Sequence, residues 1–392
     1  KNVETIGFDA FQSCKVTDFT VDADNKHFSS DSVGVLYNKD KTVLIDYFSK
    51  ETSYNIPYGV TTIRGFSYTG IENVTIPDSV ETISNRAFEH SRISKIEIPD
   101  SVTSIGISAF WGCIHLEDIS LPDNGILIDD DAFGNTPVYK DENNWVDGAL
   151  YIDNYLVDTK ESLSGTYTVK DGAVAIAGEA FKSDTLTDIT LPDSVKVIHA
   201  HAFILCKNLK SVNIPNITYD IALLALPYSL ETLYLGDGVK EISDSAFYHR
   251  ENLKNVYIGN GTTKIGEEAF YSCYNLTTVV IGNGVTTIEP WAFADCYELT
   301  NLTIGNSVKS MGSYCFKACK KLTDIVIPES VKYIGIFAFC NTGLTSFNVP
   351  DTVETINGGA FVRCPNLTSL TIPDSVKIEG DVMLYDCTSL TE

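Results

Sequence analysis

The stretch Val285-Thr286-Thr287-Ile288-Glu289-Pro290-Trp291-Ala292-Phe293-Ala294-Asp295-Cys296-Tyr297-Glu298-Leu299-Thr300-Asn301-Leu302-Thr303-Ile304-Gly305 decides the fold, because it recurs along the whole chain. Its Ala-Phe pair is the clearest register mark. Phe11, Phe88, Phe110, Phe133, Phe181, Phe203, Phe247, Phe270, Phe293, Phe339 and Phe361 each follow an Ala. Gly65-Phe66 and Cys315-Phe316 are variants, and Leu224 and Leu384 fill the slot in two degenerate copies, which makes fifteen anchors. Most gaps are 21 to 23 residues; those from Phe11 to Phe66 (55) and from Phe133 to Phe181 (48) each hold one repeat plus an insertion. A fixed period of this length is the mark of a stacked-repeat architecture.

Around each anchor the pattern is tight. An Ile or close substitute lies five before Phe (Ile83, Ile105, Ile198, Ile242, Ile265, Met311), with a Val three earlier (Val80, Val102, Val195, Val239, Val331). Downstream come alternating apolar positions and then Pro or Gly, as in Leu116, Ile119, Leu121, Pro122 and in Leu322, Ile325, Ile327, Pro328. Alternation predicts a half-buried strand, and the Pro or Gly ends it. About 23 residues cannot bury a core alone, whereas stacked copies cover one another. The expected fold is therefore a repeat solenoid of about fifteen copies of 21–23 residues, adding about 4.8 Å per copy. A parallel β-sheet should line one face and short helical turns at Ala-Phe-x-x-Cys the other. Burial of each anchor Phe is worth about 1.5–3 kcal/mol.

The consensus resembles the BspA-type (Treponema-type) leucine-rich repeats of bacterial surface proteins, over essentially residues 1–392 as a single solenoid. The insertions resemble that family too. Residues 22–55 carry Gly34-Val35-Leu36-Tyr37-Asn38-Lys39-Asp40, and residues 138–166 carry Asn144-Trp145-Val146-Asp147-Gly148-Ala149-Leu150-Tyr151-Ile152. Each reads as a β-hairpin of two strands, about the polar turns Asn38–Lys41 and Asp153-Asn154. The resemblance implies cell-surface or secreted display, adhesion to host or neighbouring-cell ligands, and no catalysis.

Composition sets further bounds. With 28 Lys+Arg against 52 Asp+Glu the formal charge is −24, so nucleic acid and anionic membranes are repelled rather than bound. The 44% hydrophobic content excludes disorder. No stretch approaches the roughly 20 apolar residues of a membrane span. Lys1 is not an initiator Met, so the segment is expected to come from a longer chain whose export signal lies elsewhere. The expectation is an extracellular or cell-surface monomer without cofactor.

Candidate chemistry is sparse. Eight of ten Cys (Cys14, Cys113, Cys206, Cys273, Cys296, Cys319, Cys364, Cys387) share the slot three after the anchor. A ladder of small buried free thiols explains that period, and Cys315 and Cys340 sit beside anchors where a small residue also packs. Cys315-x-x-x-Cys319 lacks a second zinc half. His199-x-His201 has no acidic or Cys partner at fixed spacing and reads as a solvated pair. Asp129-Asp130-Asp131 and Asp22-x-Asp24-Asn25 do not match an EF-hand loop and read as acidic turns. No metal site is therefore expected. Catalytic and phosphate-binding motifs are missing, and sequons such as Asn275-Leu276-Thr277 and Asn301-Leu302-Thr303 are repeat grammar.

What remains is the exposed sheet face. Its outward residues are small and polar at both ends, but Tyr234, Tyr257 and Val280 fall in line on three adjacent strands beside Thr232, Asn255 and Thr278. Tyr offers contact area at little rotamer cost, which recognition surfaces exploit; β-propensity alone would also place Tyr, Val and Thr there. The expected function is a non-catalytic binding or adhesion module for an extracellular protein or glycan. The alternatives are a passive spacer presenting another domain, or the substrate-binding appendage of a glycan-degrading enzyme.

Overall fold

The computed structural model describes residues 1–7, 10–11, 14, 16, 19–217, 219–380 and 383–391. It is a parallel-strand β-solenoid with almost no helix: the described helical segments are Pro137–Lys140, Glu142–Asn144 and Ile221–Leu223. Two compact units form. One comprises Lys1–Leu163, Lys170–Ser183 and Ser194–Leu205; the other comprises Ser164–Val169, Asp184–Asp193 and Cys206–Glu392.

Most coils contribute two strand segments; after the Phe316 anchor, residues 322–328, whose alternation predicted a strand, form none. In the second unit the alternating segments form a seven-stranded sheet from Gly165–Thr168, Leu186–Thr190, Ser211–Ile214, Thr232–Leu235, Asn255–Ile258, Thr278–Ile281 and Asn301–Thr303. A second sheet, not anticipated from the sequence, is built from the Ile five before the anchor and its neighbour. Glu241–Ile242 pairs in parallel with Lys264–Ile265, then Thr287–Ile288, Ser310–Met311 and Tyr333–Ile334 follow in register. Two residues per strand suffice because the next coil supplies the partner at every step. In the first unit the same ladder runs through Thr62–Ile63, Thr82–Ile83, Ser104–Ile105 and Leu127–Ile128.

The insertions feed that ladder. Phe28–Ser30, Val35–Asn38 and Val43–Tyr47 pair antiparallel in succession, and Val43–Tyr47 then pairs in parallel with Thr62–Ile63. Trp145–Val146, Ala149–Ile152 and Tyr155–Thr159 do the same, the last joining Ala175–Ile176. Where two strands were expected, each insertion has three. The unread turn in the second is Asp147-Gly148, both residues left-handed at φ 49° and 82°, as a type I′ turn demands.

The core is a column of anchor rings. Phe270, Phe293, Phe316, Phe339 and Phe361 are fully buried, with neighbouring centroids 5.1, 5.5, 5.7 and 5.8 Å apart and planes within 9°. Phe66, Phe88, Phe110 and Phe133 form the equivalent column in the first unit.

The Ala-Phe segment is not the helical turn expected. Residues two before and two after the anchor are left-handed: Arg86 and His90, Ser245 and His249, Glu268 and Ser272, Trp291 and Asp295, at φ 55–60°. Their positive φ stops any α-helical run. The physical reason lies in the hydrogen bonds. Trp291, Phe293 and Asp295 donate their N–H groups to the carbonyls of Ser313, Cys315 and Lys317 on the next coil, at 2.8–2.9 Å. The intervening Ala292 and Ala294 close turns within their own coil, onto Glu289 and Trp291. A helix would spend every donor internally, whereas this alternation sends every second one across to bind the stack together.

Candidate functional site

The exposed sheet face of the second unit is built by strand pairing. Leu233, Leu235, Val256, Ile258, Val279 and Ile281 point inward and are buried, so the residues between them point out. The register places Asn213, Tyr234, Tyr257, Val280 and Thr303 in one column, and Ser211, Thr232, Asn255, Thr278 and Asn301 in the next. All six residues of the sequence-derived strip thus lie side by side. Tyr234 is 43% exposed. Its ring stacks on Tyr257 with centroids 4.6 Å apart and planes 9° from parallel. The pair therefore covers one face of each ring and stands up from the sheet as a ridge rather than lying as a platform. Beside it, Asn255 Nδ2 donates to Thr232 Oγ1 at 3.1 Å.

Two structured margins bound the strip. On one side Glu231 accepts from Lys254 at 2.7 Å and faces Lys210 at 3.4 Å. The hydrogen bond from Lys254, aided by Lys210, holds the Glu231 carboxyl below its ordinary pKa. On the other side the turn after each strand is pinned by an amide ladder. Asn260 N–H donates to Asp237 Oδ1, Asn283 N–H to Asn260 Oδ1, and Asn306 N–H to Asn283 Oδ1, at 2.6–2.9 Å. The degenerate copy at Leu224 contributes the short Ile221–Leu223 turn, capped by Asp220. What such a strip can do is present ring edges, phenol hydroxyls and hydrogen-bonding Thr and Asn side chains on a framework fixed by β-pairing.

Other candidates fall in different places. All ten Cys are free thiols; eight are buried, Cys387 is half-buried and Cys14 is exposed. Asp24 is an exposed partner of Lys1. His199 is not merely solvated, since its Nε2 lies 2.8 Å from Asp129 Oδ1.

A second aromatic series was missed. On the turn side, Tyr248 and Tyr271 stack at 5.3 Å, Trp291 and Tyr314 at 4.1 Å, and Tyr314 and Phe337 at 5.2 Å. The signal was present as aromatics two before the anchor in three successive copies, and it was masked by the helical reading of that segment.

Stacked short strands, a column of buried anchors and a turn-lined opposite side define a leucine-rich-repeat solenoid. The chain belongs to the BspA-type leucine-rich repeat family, whose model of six copies matches residues 46–155, 174–300, 226–334 and 309–392. Among solved structures, a leucine-rich repeat protein from Bacteroides ovatus is 24% identical, covering 95% of this chain and 93% of its own, with a TM-score of 0.46. A leucine-rich cell surface protein from Faecalibacterium prausnitzii is 22% identical over 94% and 95% of the two chains, with a TM-score of 0.32. A leucine-rich repeat protein of T. pallidum is 22% identical over 61% and 83%, with a TM-score of 0.26. No curated protein matches the chain. Among the described residues, no helix is long and apolar enough to cross a membrane.

Proposed function

We propose that the chain is a non-catalytic binding module, displayed at a cell surface or secreted, that takes an extracellular protein or glycan on the strand face around Tyr234 and Tyr257. The observation that carries this reading is the stacked pair of an exposed Tyr234 and a half-buried Tyr257, in register with Thr232, Asn255, Thr278 and Val280. Ring stacking and strand pairing fix both Tyr side chains before any ligand arrives, so little conformational entropy is lost on contact. Membership of a repeat family of bacterial surface proteins supports display and adhesion over catalysis.

The test begins with a binding screen against extracellular-matrix proteins and glycans. The double variant Tyr234→Ser, Tyr257→Ser removes both rings from a surface position. Its affinity should fall by about tenfold or more, at 1–2 kcal/mol per anchor, with the thermal midpoint unchanged. A loss below about threefold places the ligand elsewhere, and the same double change on Trp291 and Tyr314 then asks whether the turn side binds instead. A passive spacer would bind nothing in the screen.

A further inference from the structure

Two motifs that look unrelated in the sequence meet in the first unit. Asp129-Asp130-Asp131 precedes the anchor Phe133, and His199-x-His201 precedes the anchor Phe203. Between them in sequence lies the three-stranded insertion, which hides their proximity from any search at fixed spacing. The solenoid puts a single coil between them: Gly178 N–H donates to the Ile128 carbonyl and His199 N–H to the Ile176 carbonyl, each at 2.8 Å. Asp130, Gly178 and Ala200 each fall three before their own anchors, so they occupy the same slot on successive coils. Asp130 reaches over Gly178 toward the two His that flank Ala200.

We propose that Asp130, His199 and His201 form a binding site for a single zinc ion. One donor atom from each residue lies within 4.8 Å of the others. Zinc bonds of about 2.0–2.2 Å bring such donors somewhat closer, and rotation of the exposed His201 supplies that closure. Three further features point the same way. Asp130 Oδ1 is buried and has no hydrogen-bond partner, and an anionic oxygen held from water without a partner is costly. Residue 178 leaves room: a Cβ there would sit 2.1 Å from Asp130 Oδ1 and 2.9 Å from His199 Nδ1. Its backbone φ is not left-handed, so glycine is needed for space and not for conformation.

Finally, the His199 tautomer is set. Nε2–H donates to Asp129 Oδ1 at 2.8 Å, which leaves the Nδ1 lone pair on the Gly178 side. Nδ1 accepts the backbone N–H of His201 at 3.2 Å, a long bond that an ion on Nδ1 would displace. A carboxylate behind a ligating imidazole is the usual outer support of a zinc site.

The donor set selects the ion. Two imidazoles and one carboxylate suit zinc and its neighbours in the transition series, whereas calcium demands oxygen ligands throughout. Asp131 and Asp158 are engaged with Lys182 at 3.6 and 2.9 Å, which leaves Asp129 and Asp130 to offset the ion's charge. Because His201 is exposed, the fourth coordination position opens to solvent. Asp130 and the His pair lie on either side of the insertion in sequence, so the ion would also clamp coils that the chain itself separates.

The test uses the tag-free, chelator-treated chain titrated first with Co²⁺ and then with Zn²⁺. One Co²⁺ per chain should bind, with visible d–d absorption that Zn²⁺ abolishes, and Zn²⁺ should raise the thermal midpoint. His201→Ala, which alters only an exposed side chain, and Asp130→Asn should each weaken binding by about tenfold or more. Asp129→Asn should weaken it less while one Co²⁺ still binds. Gly178→Ala should block binding, with its circular dichroism spectrum reporting that the fold persists. Failure of either ion to bind stoichiometrically, or unchanged binding in both His201→Ala and Asp130→Asn, overturns the proposal. So does a thiolate-to-cobalt charge-transfer band, which would place the ion on Cys14 or Cys387.

Discussion

The slot three after each anchor explains why thiols recur there. Volume alone would accept Ala or Val, but in most copies the slot holds a hydrogen-bond donor; Asp184 and Pro227 are the departures. Cys273, Cys296 and Cys319 donate Sγ–H to the carbonyls of Phe247, Phe270 and Phe293 on the preceding coil, at 3.2–3.4 Å. Where Thr replaces Cys, its hydroxyl donates to its own anchor instead, as in Thr69 to Phe66 at 2.7 Å and Thr342 to Phe339 at 2.9 Å. The periodic, buried position of the Cys was legible in the sequence; the donor role was not, because its acceptor is one coil away.

Burial keeps these thiols neutral. It pushes Cys113 up to about 11 and both Cys206 and Cys273 up to about 12, and it raises Cys296 and Cys319 well above the ordinary thiol range. Unfolded thiols titrate near 8.5, so above that pH the unfolded chain releases protons that the native chain retains. The native state then binds more protons, and stability falls as pH rises, having been fully present below about pH 8. Each buried thiol contributes up to about 1.4 kcal/mol per pH unit to that fall. The urea midpoint should therefore drop steeply between about pH 8 and 10, and Cys296→Ala should flatten the slope by one proton. Alkylation of the native chain should mark Cys14 first and spare the buried eight, with all ten reacting after denaturation. Rapid native labelling of Cys296, or a pH-independent midpoint, would rule out neutral, inaccessible thiols.

At the scale of elements, the alternating strands of the exposed face were readable, whereas the two-residue ladder, the third strand of each insertion and the Ala-Phe turns were not. Alternation such as Thr278-Val279-Val280-Ile281 specifies which residues face in, and pairing with the next copy follows from the fixed period. The Ala-Phe turn carries no such signal. Its left-handed positions hold Ser, His, Glu and Trp, where glycine would have announced positive φ. The coil tolerates them because inter-coil hydrogen bonds fix the backbone, at a cost of about 1 kcal/mol per residue.

That cost makes a signed prediction. Ser245 is exposed, sits at φ 56°, and bonds the next coil through its N–H to Glu267. Ser245→Gly should stabilise by about 0.5–1 kcal/mol, the relief of left-handed strain less the extra freedom glycine gives the unfolded chain. Ser245→Val should destabilise by a similar or larger amount, since a branched Cβ clashes most in that region. Denaturation midpoints of the two variants measured together decide it. If both shift the same way, backbone conformation is not what sets stability there.

For the molecule as a whole, the repeat count, the strand faces and the Tyr strip were legible because each depends on sequence period alone. The stacking of Tyr234 on Tyr257 depends on the rotamers of the two rings, and the meeting of Asp130 with His199 and His201 depends on register across an insertion; no local pattern encodes either. If the strip binds as proposed, the whole-chain charge of −24 governs which ligands it would hold. Lys210 and Lys254 share Glu231 at its margin, so the strip offers no unpaired cation cluster to an anion. A neutral protein or glycan patch held by stacking and hydrogen bonds should keep its dissociation constant within about threefold between 0.05 and 0.5 M NaCl, because short-range contacts are little screened. An anionic glycan of the same shape should bind more weakly at low salt and gain affinity as salt screens the repulsion; a basic ligand should lose it. Affinities of a matched neutral, sulfated and amino-bearing glycan set across that salt range provide the measurement. If the neutral member loses tenfold or more with added salt, the contact runs through the acidic coils and not through the Tyr ridge.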